Sequence, residues 1–148
     1  LLMILRTLLL FFLILFFSRP VIHRGGLFES RSEEASVIIL MDVSASMGAV
    51  VGGREALQIA EDYVKTILRK IPGNVRVGLL SYSDRVEKEL APAPDRSRFT
   101  TMLENLKVTP RPTDILPALK LASTILSHQP KGKKTIVVVS DVPPTHFV

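Results

Sequence analysis

The chain has 148 residues, 19 Lys+Arg against 14 Asp+Glu, no Cys and no Trp. That length suits one domain and leaves no room for a separate cofactor domain. The lack of cysteine excludes a disulfide scaffold, a thiolate zinc site, an iron–sulfur cluster and a cysteine nucleophile, and leaves the redox compartment open.

Charge and hydropathy are unevenly spread. Of residues 1–17 only Arg6 and Thr7 are not apolar, and every acidic residue falls at Glu29 or later. Arg6, Arg19 and Arg24 are the basic groups of residues 1–24, which leaves 16 basic against 14 acidic beyond them. The pI of about 9.8 therefore reflects a basic flank on a nearly neutral domain. It is not the concentrated basic face that nucleic acid requires, and no nucleic-acid partner is expected.

Residues 1–17 form an almost unbroken apolar run at the lower limit of the roughly 17–25 residues that cross a bilayer. A core helix of so small a domain is rarely apolar on every side. A signal peptide starting at Met3 lacks small-x-small cleavage residues, since Ser18-Arg19-Pro20 puts Arg and Pro there. The run is expected to be a transmembrane helix. Basic residues on both sides leave its orientation undecided by charge. Residues 18–35 then read as a polar linker.

The domain is expected over 36–148. SVIILM at 36–41 is a β-branched run of buried-strand length, closed by Asp42. Arg54–Ile71 reads as an amphipathic helix with Leu57, Ala60, Tyr63, Val64, Ile67 and Leu68 on its apolar face. Pro72-Gly73-Asn74 stop it. The stretch 74–81 is a second strand. Val86–Leu90 alternates ahead of Pro92 and Pro94, as a short antiparallel edge strand does. Helices follow at 95–106 and 114–127, the latter capped by Asp114 with Pro117 in its first turn. TIVVV at 135–139 is a further fully buried strand. Apolar strands without alternation, separated by amphipathic helices, predict an α/β fold: a doubly wound, mainly parallel sheet. Its last strand and helix are expected to be missing, leaving the domain C-terminally incomplete.

Three separated places supply oxygen ligands: Asp42-Val43-Ser44-Ala45-Ser46 after the first strand, Thr113-Asp114 before the third helix, and Asp141 after the strand at 135–139. Parallel strands present their carboxyl ends to one rim, so these loops converge if the strands ending at Asp42 and Asp141 are neighbours where strand order reverses. Two carboxylates and three hydroxyls suit Mg²⁺, Mn²⁺ or Ca²⁺ rather than zinc or copper. Two Asp charges balance a divalent ion and leave room for a partner's carboxylate.

DVSAS followed by Met47, with Thr113 and Ser140-Asp141 downstream, resembles the metal-ion-dependent adhesion site of von Willebrand factor type A (VWA) domains. The resemblance covers residues 36–148 and implies a Rossmann-like fold. By it, Ser44, Ser46 and Thr113 bind the ion directly, Asp42 and Asp141 directly or through water, and a Glu or Asp of a partner protein completes the octahedron. Pro112 and Val142 depart from the glycines common at those positions. The apolar run leading through Arg19-Pro20 into a linker further resembles membrane-anchored bacterial Bat-type (aerotolerance) proteins. That implies a bacterial inner-membrane protein with an extracytoplasmic VWA domain.

Other readings fit less well. Ser44 stands where a haloacid-dehalogenase-type phosphatase needs its second Asp. A receiver domain's late-strand Lys is not supplied by Ser140-Asp141. Gly48–Gly53 has phosphate-loop spacing, but Arg54-Glu55 replace its Lys and Ser/Thr, so a flexible loop is expected there. A Ser-His-Asp hydrolase needs a His near Ser44 or Ser46, but His23 belongs to the membrane flank, His146 to the tail, and His128 suits a helix C-terminus, so all three are expected to be surface residues. The expectation is a membrane-anchored, non-enzymatic module that binds an acidic protein through Mg²⁺ (or Mn²⁺ or Ca²⁺). Arg111 is expected to steer the partner and Met47 to shield the site beside it. The alternatives are an accessory or scaffold subunit of an ATPase- or chelatase-type complex and a metal-dependent phosphoryl-transfer enzyme.

Overall fold

The computed structural model describes residues 35–141 and Arg6. The expected membrane helix at 1–17 and the linker at 18–35 thus fall almost wholly outside the described residues. Among the described residues, no helix is long and apolar enough to cross a membrane.

The chain runs β1 (Ser36–Asp42), a 3-10 turn (Ala45–Gly48), β2 (Val50–Val51), β3 (Arg54–Glu55), α1 (Ala56–Lys70), β4 (Arg76–Tyr82), β5 (Val86–Ala93), α2 (Ser97–Glu104), α3 (Leu116–Ser127) and β6 (Lys134–Val139). The main sheet has the order β5-β4-β1-β6. β1 is parallel to β4 and to β6, and β5 is antiparallel to β4. The predicted doubly wound, mainly parallel sheet with one antiparallel strand at its edge is the one observed.

Side chains of β1 alternate between two cores, and both are apolar, which is why the strand shows no polar alternation. Ile39 and Met41 pack with Leu57, Ala60 and Val64 of α1 and with Phe99 and Leu103 of α2. Ile38 and Leu40 pack with Ala118, Ala122 and Leu126 of α3. Ile38, Ile39 and Leu40 are 0% exposed, and burying each contributes about 1.5–3 kcal/mol.

Four local expectations need correction. The loop after the 3-10 turn is a small hairpin, because Gly52 and Gly53 both take positive φ (59° and 83°), as a two-residue type I′ connection demands. Arg54 and Glu55 pair with Val51 and Val50 in that hairpin, so α1 starts at Ala56 rather than Arg54. β5 runs on through Pro92 to Ala93, since its register shifts opposite Gly78. A Cβ on Gly78 would lie 2.8 Å from the Leu90 carbonyl oxygen and 2.9 Å from the Pro92 nitrogen, so glycine admits the proline to the pairing.

The fourth concerns burial. β6 is not fully buried: Val138 is 40% exposed and Tyr63, expected on the apolar face of α1, is 61% exposed. β6 ends the strand order, and an open groove lined by Val51, Ile59, Tyr63, Val138 and Asp141 lies between it and α1.

Candidate metal centre

The strand order reverses between β1 and β6: the chain crosses from β1 to β4 on one side and later returns to β6 on the other. Met41 is in register with Val139, so Asp42 and Ser140-Asp141 leave the sheet side by side. The carboxyl-end crevice at such a reversal is where open α/β sheets bind ligands.

Asp42 is fully buried. Its Oδ1 accepts the Ser44 backbone N–H at 2.8 Å and its Oδ2 accepts the Ser140 hydroxyl at 2.7 Å. The Thr113 hydroxyl reaches the same Oδ2 in a long contact of 3.4 Å and lies 2.6 Å from the Ser44 Oγ. Ser44 and Ser46 hydroxyls are 3.1 Å apart, and Ser46 donates to Asp141 Oδ1 at 3.1 Å. All five side chains singled out as metal ligands therefore meet in one connected set of oxygens.

The donor chemistry and spacing fit a hard divalent ion. In an octahedron with metal–oxygen distances of about 2.0–2.1 Å, neighbouring oxygens stand about 2.8–3.0 Å apart. The hydroxyl pairs here, at 2.6 and 3.1 Å, bracket that spacing. Among the described residues, no group of three or more His, Cys, Asp or Glu side chains forms a metal site. The oxygen set is hydroxyl-rich and needs no third carboxylate to neutralise a divalent charge.

Backbone bonds hold the first two segments in place. Val43 N–H donates to the Tyr82 carbonyl at 2.8 Å, and Thr109 N–H to the Val43 carbonyl at 2.7 Å. Ala45 N–H donates to the Arg111 carbonyl at 2.9 Å and Asp114 N–H to the Ser83 carbonyl at 2.8 Å. Asp114 accepts the Leu116 N–H at 3.0 Å and turns the chain toward α3, but the helix starts at Leu116 rather than Asp114, with Ile115 in the N-cap place and Pro117 in the first turn.

Two residues were not singled out from sequence. Ser140 bonds Asp42 directly; its signal was its place between the last strand and Asp141. Tyr82, 1% exposed, has its phenol pushed up in pKa by burial first and by the Asp42 charge second, and Ser140 hydrogen-bonds it. It stays neutral beneath the site.

The two expected partner contacts need revision. Met47 is 1% exposed and packs in the core with Met41 and Val43, because the 3-10 turn folds it inward under the rim. It has almost no surface to offer a partner. Arg111 faces the β4–β5 turn, with its guanidinium 3.6 Å from Asp84 and 3.7 Å from Glu87. Its charge is already engaged.

Residues 37–143 match the von Willebrand factor type A domain family. The chain belongs to that family, whose domains serve as adhesion and protein-interaction modules. Among solved structures it is similar to BatB from Bacteroides thetaiotaomicron, with 22% identity and a TM-score of 0.63 over 70% of this chain and 52% of that one. An aerotolerance-related membrane protein from Bacteroides fragilis matches at 24% identity and TM-score 0.63, again over 70% and 52%. The domain of the type V pili tip protein Mfa5 from Porphyromonas gingivalis matches at 24% identity and TM-score 0.60, over 76% and 39%. At these identities the likeness is one of fold. The chain spans about half the length of the two Bacteroides proteins.

Proposed function

We propose that this VWA domain binds a divalent cation, Mg²⁺ or Mn²⁺ before Ca²⁺, between Ser44, Ser46, Thr113, Asp42 and Asp141, and through it an acidic protein partner. The observation that carries this reading is the continuous oxygen set, in which Thr113, Ser44, Ser46 and Asp141 follow one another at 2.6, 3.1 and 3.1 Å. The ion supplies a positive centre for the carboxylate of a Glu or Asp side chain. The chain's own residues hold it: Asp42 and Asp141 balance its charge, and the three hydroxyls present neutral oxygens. Two acidic groups against one divalent ion leave the centre attractive to a further anion.

Binding rather than catalysis is favoured by the partners of these hydroxyls. Ser44, Ser46 and Thr113 bond to one another and to Asp42 and Asp141, and among the described residues no imidazole or amine hydrogen-bonds these hydroxyls to take a proton. His128 lies at the end of α3, against the Thr124 carbonyl. Membrane anchoring by residues 1–17 belongs to the same proposal, supported by the length of the apolar run. The membrane association named for the Bacteroides fragilis structure points the same way.

The test is thermal unfolding of the full chain in detergent with Mg²⁺, Mn²⁺, Ca²⁺ or EDTA, beside Asp42→Ala. An ion at 100 times its dissociation constant adds about 2.7 kcal/mol, and the expected rise in Tm vanishes in the variant. Equal melting in every ion and in EDTA overturns the metal reading. Retention of a Glu/Asp-rich peptide with Mn²⁺ and its release by EDTA supports the bridging role; retention in EDTA overturns it. Release of the domain from membranes on deleting residues 1–17 tests the anchor.

A further inference from the structure

The segment Thr109–Asp114 carries Thr113 to the site, and its middle is poorly supplied with backbone bonds. Pro110 and Pro112 flank Arg111, and neither has an N–H to give. What remains at the centre is Arg111 itself. Its carbonyl accepts the Ala45 N–H at 2.9 Å, inside the DVSAS motif. Its guanidinium lies between two carboxylates, 3.6 Å from Asp84 of the β4–β5 turn and 3.7 Å from Glu87 at the start of β5. Those carboxylates are themselves oriented by the Ser83 hydroxyl, which donates to Glu87 at 2.8 Å and to Asp84 at 3.3 Å. Ser83 is 0% exposed, and its carbonyl accepts the Asp114 N–H directly after Thr113. One residue thus touches both the motif and the turn that holds the Thr113 loop.

We propose that Arg111 is a positioning residue: held between Asp84 and Glu87, it latches the loop that sets Thr113 against Ser44 and so raises the site's affinity for its cation. This rests on the metal reading above. A single half-exposed ion pair contributes little, about 0–1 kcal/mol. Here one guanidinium serves two carboxylates, and outer-shell losses at metal sites typically cost about 10–100-fold in affinity. A loss of about three- to tenfold is the effect expected between these two bounds.

The signs of two substitutions separate a latch from a simple charge effect. If Arg111 acted on the ion only as a nearby positive charge, Arg111→Ala would strengthen Mn²⁺ binding and the double variant Asp84→Asn/Glu87→Gln would weaken it. A latch weakens in both cases, and the triple variant binds no worse than either, because the same interaction is removed only once.

Mn²⁺ affinity of the full chain in detergent, read from the free-ion paramagnetic resonance signal, decides between them. The expected result is a three- to tenfold loss for Arg111→Ala, a comparable loss for the double variant, no further loss in the triple, and partial recovery with Arg111→Lys. Unchanged or tighter binding by Arg111→Ala, with wild type binding normally, overturns the latch alone. Wild type that binds no Mn²⁺ overturns the metal reading and removes the latch's purpose with it. Melting in EDTA accompanies each variant. If Arg111→Ala does not fold, Arg111→Lys and the carboxylate pair carry the same comparison.

Discussion

The Ser140 hydroxyl donates to the Asp42 carboxylate at 2.7 Å, tying the ends of two neighbouring parallel strands across the crevice. The bond completes the coordination of a carboxylate that is otherwise fully buried, and it aims Oδ2 toward the hydroxyl cluster. Ser140→Ala is therefore expected to lower Mn²⁺ affinity by about tenfold or more, in the manner of an outer-shell partner. Stability without the ion should fall by about 1 kcal/mol. Mn²⁺ titration and denaturant unfolding in EDTA measure the two effects separately.

Asp42→Ala removes the acceptor of the Ser44 N–H and the Ser140 hydroxyl together. Leaving such buried donors unmet costs about 1–3 kcal/mol, so the variant should melt below wild type in EDTA and show no response to Mg²⁺. A variant that still gains stability from Mg²⁺ would place the ion elsewhere.

Gly78→Ala separates fold from site. Its new methyl meets backbone atoms of Leu90 and Pro92 at 2.8–2.9 Å, and these cannot rotate away as a side chain would. A loss of about 1–3 kcal/mol is expected from the overpacking. Mn²⁺ affinity of the folded fraction should stay at the wild-type value, since Gly78 pairs near Leu90 and Ala93, at the opposite end of the β4–β5 pair from the carboxylates that hold Arg111. Chemical denaturation and ion titration of the same sample check both.

Asp95 introduces the acid limb of stability. Its carboxylate accepts the Ser97 backbone N–H and hydroxyl, both at 2.9 Å. That backbone bond first, and the hydroxyl second, lower its pKa below the ordinary 3.8. A folded-state pKa below the unfolded one means stabilisation present at neutral pH and lost as pH falls below 3.8 through the lowered value. Asp95→Asn should lower Tm at pH 7 and make less difference at pH 3, as melting at both values will show.

Much of this was legible in the chain. The run at 36–41 is too apolar for anything but a strand covered on both faces, and the run at 135–139 is recognisable as a strand though not as one at the edge of the sheet. The positions of Asp42, Thr113 and Asp141 at strand and helix ends foretold their convergence on one condition, that the strands ending at Asp42 and Asp141 be neighbours, and β1 and β6 are. Less legible was anything decided by the third dimension of a turn. Met47 follows the motif in sequence as a surface residue would, yet a 3-10 turn rotates it under the rim. Arg111 sits two residues from Thr113, but the carboxylates that claim it lie across a different loop. The Gly52-Gly53 hairpin was hidden by the shortness of its strands, each two residues long. Val138 looks like core in a string of valines, and only its place in the strand order exposes it.

Asp42 and Ser140 stand 98 residues apart in the chain, Ser46 and Asp141 95, and Ser44 and Thr113 69. A half-folded chain with β1 and β4 paired but β6 undocked has no such cluster, however well its DVSAS loop is formed. On the proposed reading, an ion held there would stabilise only molecules in which β6 has docked beside β1. A partner that recognised the proposed ion would inherit that discrimination and pass over chains with β6 undocked.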